Sequence, residues 1–112
     1  MPNSKYLGEF EIVVLAAIIR LRDGAYGVSI VEEIKACGER TVSIGALYAT
    51  LARLEQKGLV ASRKGEATAA RGGRAKTFFT VTRSGQAQLD KSITLFNNML
   101  HGFRGWRPEP AS

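Results

Sequence analysis

At Lys57-Gly58 the apolar spacing of this chain changes period, and that change limits what it can fold into. Upstream, Ile44, Leu47, Leu51 and Leu54 recur at helical spacing. Downstream, LVASRK (59–64) and KTFFTVT (76–82) are β-rich runs bounded by turn residues. A basic residue followed by glycine is a helix stop, so the helix hands over to a strand without a linker. Between the two strands lies GEATAARGGRA (65–75), whose glycines and small residues suit a long hairpin tip.

Two more helical patterns precede this unit. Phe10, Val13, Val14, Ala17, Ile18 and Leu21 predict a helix over Leu7–Arg22, with Gly24 in the left-handed cap conformation. Tyr26, Ile30, Ile34 and Cys37 share a face of a second helix, Tyr26–Cys37, stopped by Gly38. Thr41-Val42 is a short link, and Ser43 is placed to cap the third helix. Thr82 caps a fourth, running from Arg83 to about His101 or Phe103. On it, Leu89, Ile93, Phe96, Leu100 and Phe103 follow the spacing of a coiled-coil seam for about two heptads. The fold class is therefore mainly α with a β-hairpin: a winged helix-turn-helix domain over 1–82, a C-terminal dimerisation helix over 83–104, and an irregular tail over 105–112.

The 112 residues suit one domain that can bury a core without metals or disulfides. The formal net charge of +6 is unevenly placed. Between Arg40 and Lys76 there are eight bases and two acids, while the rest of the chain has eight of each. A basic surface confined to one third of a molecule attracts polyanions. The same charge could equally serve as a solvated face.

Several classes of protein are disfavoured. Cys37 is the single cysteine, which rules out an internal disulfide and fits a reducing cytoplasm. The N-terminus lacks the apolar run of a signal peptide. The longest apolar run, Ile12–Ile19, is eight residues, against the ~20 that a membrane span needs. With His101 the only histidine, no histidine cluster binds a metal. There is no phosphate loop and no acid pair with a pocket signature. Cys37, on an apolar face, reads as a core residue rather than a nucleophile. Neither catalysis nor a cofactor is expected.

The chain resembles the PadR family of transcriptional regulators. The resemblance runs through LGEFEIVVLAAIIRL, AYGVSIVEEI, VSIGALYATLARLEQKGLV and RGGRAKTFFTVTRSGQAQL. It is most specific at Gly45, Leu47, Tyr48, Leu51, Leu54, Glu55, Gly58 and Leu59, and is joined by Tyr26-Gly27 and Thr82-x-x-Gly85. It implies a cytoplasmic, dimeric repressor of double-stranded DNA, with the third helix in the major groove. The wing would touch backbone or minor groove, the last helix would pair subunits, and Tyr48 would face phosphate. Ala75 and Thr77-Phe78-Phe79 depart from the family pattern and make the wing contacts less secure than the helix contacts.

The residues themselves agree with that implication. Opposite its apolar stripe the third helix carries Gly45, Ala49, Ala52, Arg53 and Gln56, a face almost free of bulk. Small residues let a helix approach base edges; they could also seat it against another helix. The candidate DNA contacts are Arg40, Ser43, Gly45, Ala46, Tyr48, Ala49, Thr50 and Arg53 around the third helix. Arg63, Lys64, Arg71, Arg74 and Lys76 join them from the wing. The seam Leu89, Ile93, Phe96, Leu100 and Phe103, widened by Leu95 and Met99, pairs subunits or packs on its own domain. Trp106 either lines a small-molecule effector site at that interface or lies on the surface of a loose tail. The competing reading is a winged helix that binds protein rather than DNA.

Overall fold

The computed structural model describes residues 6–65 and 75–111. Its elements are α1 (Glu9–Leu21), α2 (Gly27–Gly38), α3 (Ile44–Gln56), β1 (Val60–Lys64), β2 (Thr77–Val81) and α4 (Arg83–Met99). The strands form an antiparallel hairpin with Val60 opposite Val81 and Lys64 opposite Thr77. This is the mainly helical winged-helix architecture that the change of period implies. The hairpin tip, with Arg71 and Arg74, lies outside the described residues.

α1 is the central element and packs on α2, α3, α4 and β2. Its Val14, Leu15 and Ile18 meet Ile30 of α2, Leu47, Leu51 and Leu54 of α3, and Phe79 of β2 in one buried cluster. Full burial of such a side chain stabilises the fold by about 1.5–3 kcal/mol, so the cluster fixes the angle of α3.

The caps hold where side-chain chemistry supports them. Ser43 Oγ accepts from the Ala46 amide at 3.1 Å, and Thr82 Oγ1 accepts from the Gly85 amide at 3.0 Å. Thr82 also donates from Oγ1 to the Gly58 carbonyl at 2.7 Å, which ties the start of α4 to the end of α3. Gly58 turns the chain with φ of 78°.

Four expectations need correction. The positive-φ residue after α1 is Arg22 (φ 54°), not Gly24, while α2 does end at Gly38, with Glu39 (φ 53°) as its left-handed cap. Arg22 tolerates this because its amide reaches back to the Ile18 and Ile19 carbonyls. Cys37 is exposed rather than in the core. The last turn of α2 has left the buried cluster there, and the thiol lies 3.5 Å from Glu33 Oε2. Ile44 is 47% exposed, because the first turn of α3 lies beyond the cluster that covers Leu47. Finally, α4 stops at Met99, and Gly102 (φ 87°) turns the chain into a single 3-10 turn over Phe103–Gly105.

A candidate nucleic-acid interface

α3 carries its buried residues, Leu47, Thr50, Leu51 and Leu54, on one side. The opposite side, Gly45, Ala49, Ala52 and Gln56, is exposed. Nothing lies within 4 Å of where a Cβ on Gly45 would sit. The small residues therefore do not seat another helix among the described residues. They leave an open surface with a low profile.

The two flanks of that surface differ. On one flank Tyr48, 43% exposed, points its phenol across Gly27 at the start of α2 and packs edge-on to Phe79, with centroids 6.3 Å apart. Beyond it, β2 is sewn to the entry of α2: the Phe79 amide donates to the Ala25 carbonyl at 2.8 Å, and Tyr26 bridges Phe78. Lys76 Nζ sits 4.1 Å from the Tyr26 ring centroid, and the Arg63 guanidinium 4.8 Å from that of Phe78. A ring orders a cation without cancelling its charge, an interaction worth about 0.5–1 kcal/mol at exposed sites. Lys64, at the end of β1, is exposed.

The other flank faces α1 and is governed by acids. Glu11 is only 8% exposed. Its Oε1 accepts from the Gly8 amide at 2.9 Å and its Oε2 from Lys57 Nζ at 3.0 Å. Burial pushes the Glu11 carboxyl up. The Gly8 amide, the Lys57 ammonium and the charge of Arg53 outweigh it, and the net shift is below the ordinary carboxylate value. Arg40 donates to Glu9 at 2.7 Å and lies over the Phe10 ring. Both members of that pair are exposed, so it contributes at most about 1 kcal/mol and leaves the guanidinium free to exchange partners.

Thr50 differs from the other candidate contacts of α3 in being buried. It is 2% exposed, and its Oγ1 accepts from Arg53 Nη2 at 3.1 Å. Its place one turn from Leu47 and Leu54 turns it inward, where it steers Arg53. Ser43 is occupied as the α3 cap, with its residue exposed. Ala46 and Ala49 are exposed beside the open stripe.

The α4 seam divides. Leu89 is 4% exposed and part of the domain core. Ile93, Phe96 and Leu100 are 41–56% exposed, with Leu95 and Met99 beside them. Phe103 has left the helix and stacks on Trp106, with centroids 6.2 Å apart. Sequence reasoning overlooked Glu11. A signal was present, because Glu11, Val14, Leu15 and Ile18 share one helical stripe, and an acid on a core-facing stripe needs a partner.

Among the described residues no group of three His, Cys, Asp or Glu is placed to hold a metal ion. Nor, among them, is any helix long and apolar enough to cross a membrane.

A helix with an open outward stripe, flanked by a cation-bearing hairpin, defines a winged-helix protein. The chain belongs to the transcriptional regulator PadR-like family, whose profile matches residues 14–91. Solved structures with similar folds include a transcriptional regulator from Clostridium thermocellum, at 21% identity and TM-score 0.70, over 88% of this chain and 92% of that one. A PadR-like regulator from Bacillus cereus aligns at 20% identity and TM-score 0.69, over 86% and 88%. BpsR of Bordetella bronchiseptica, whose DNA binding is regulated by 6-hydroxynicotinic acid, aligns at 21% identity and TM-score 0.68, over 96% and 73%. No curated protein matches the sequence. The protein is thus a DNA-binding transcriptional regulator by family, with its fold shared among these structures.

Proposed function

We propose that the protein is a cytoplasmic, homodimeric repressor that reads a palindromic operator through α3. The observation that carries this reading is the open stripe of Gly45, Ala49, Ala52 and Gln56 beside cations that have no acid partner among the described residues: Arg53, Arg63, Lys64 and Lys76. In this reading Gly45, Ala46 and Ala49 admit the helix to the groove, Arg53 reads or clamps one edge, and Tyr48 meets phosphate. The amide-rich start of α3 at Ser43 lies near the backbone, with Arg40 beside it. Arg63, Lys64 and Lys76 follow the backbone from the wing, with Arg71 and Arg74 at its tip.

Residues 1–82 act as the DNA-binding unit and 83–104 as the pairing helix, followed by the tail at 105–112. Exposed Ile93, Phe96 and Leu100 supply the pairing surface. Dimer symmetry then sets two α3 helices about one DNA turn apart, ~34 Å. Control by a small aromatic effector is supported by the Bordetella neighbour and by the exposed Phe103–Trp106 stack.

In vitro selection from random duplexes with the purified protein tests the proposal. A palindromic consensus is expected. Enrichment of no sequence, with binding to protein that varies little with salt, would favour an interaction module, since DNA affinity falls steeply with salt.

A further inference from the structure

The basic excess around α3 is not all available to a polyanion. Lys57 follows α3 directly, on the flank shared with Arg53, one helical turn away. Its ammonium is held by a carboxylate from α1, forty-six residues away in sequence. That carboxylate is buried and its other oxygen is bonded to the Gly8 amide, so it is fixed in place. Arg53, one turn back on α3, instead donates to the buried Thr50 hydroxyl at 3.1 Å. Removing one member of such a pair leaves a charge without a partner, and the survivor seeks water or another anion.

We propose that Glu11 limits the sequence-independent affinity of the protein for duplex DNA: from α1 it withholds Lys57 from the DNA backbone. The inference rests on the DNA reading above and adds to it a limit on sequence-independent binding. A cation at the end of a reading helix strengthens binding to every sequence alike. Neutralising it inside the protein lowers binding to every duplex by the same factor and leaves the ratio of operator to random affinity unchanged.

The test compares wild type, Glu11→Gln, Lys57→Gln and the double variant. Each is titrated, across a salt series, with the selected operator and with a random duplex of equal length. Glutamine keeps the acceptor for the Gly8 amide and removes only the charge. Glu11→Gln is expected to bind random duplex more tightly, with a salt slope steeper by about 0.9 for one added phosphate contact. Its operator binding should tighten by the same factor, because a phosphate contact carries no sequence information. The added slope should vanish in the double variant. Lys57→Gln alone should leave the slope of the wild type unchanged. An unchanged slope in Glu11→Gln, with only a lower melting temperature, overturns the proposal. So does a slope that falls by about one in Lys57→Gln, which would mean Lys57 already meets phosphate. If Glu11→Gln fails to fold, the Lys57→Gln result decides alone. A wild type that binds no duplex defeats the DNA reading itself.

Discussion

The phenol of Tyr48 occupies the space that a side chain at residue 27 would need. Tyr48 is half-exposed, so it can swing away, but it then loses its edge contact with Phe79. Gly27→Ala should therefore cost only about 1 kcal/mol of stability, measured by urea denaturation. Its effect on DNA should be larger: a displaced Tyr48 weakens binding to operator and random duplex together. Unchanged DNA affinity with a shifted Tyr48 would remove that side chain from the interface.

Two other glycines separate folding from recognition. A Cβ on Gly85 would collide with the Leu59 backbone carbonyl, which cannot yield as a side chain can. Gly85→Ala should destabilise by about 3 kcal/mol. Gly45 faces open space. Gly45→Leu should fold as well as wild type, yet lose most operator binding in a mobility-shift assay.

For α4 the contrast lies between Leu89 and Leu100. Leu89→Ala should cost about 2–5 kcal/mol, because it empties a core position. Leu100→Asp should leave the fold intact and give monomers with poor operator binding. Sedimentation decides this, and a dimer that survives in Leu100→Asp refutes the proposed pairing surface.

Arg53→Ala should weaken operator binding more than random binding, by about 1–3 kcal/mol on the operator. Equal losses on both would make Arg53 a phosphate contact.

The pH dependence of stability follows from Glu11. Its folded pKa is depressed, so its contribution is complete above the unfolded carboxylate range, about 4.3, and is lost as pH falls through the folded value. The stability gap between wild type and Glu11→Gln should be widest near neutral pH and shrink in acid. A gap independent of pH would mean that the glutamine disturbs packing rather than charge.

Much of this architecture could be read from residues alone. The Ser43 and Thr82 caps, the period change at Lys57-Gly58 and the bare stripe of α3 are local properties, so a short window carries them. What escaped were properties set by distant neighbours. Leu89 fits a seam by spacing, yet only α1 and the hairpin decide that it is already buried. Thr50, buried, and Cys37, exposed, differ from the sequence expectation for the same reason: helical spacing gives a direction, while burial depends on where the neighbouring helix ends. Glycine takes a positive φ beyond the end of α4, at Gly102, whereas Arg22 and Glu39 take one after α1 and α2 because their amides find carbonyls one turn back.

The joint at Thr82 has a mechanical consequence. Its hydroxyl holds the Gly58 carbonyl, its amide holds that of Leu59, and Gly85 lies flat on the same turn. There is no slack between the end of one rod and the root of the other. Any tilt that a neighbour imposes on the long C-terminal rod must be delivered undamped to the short one, so a ligand wedged far from the duplex would change the pitch at which it is gripped.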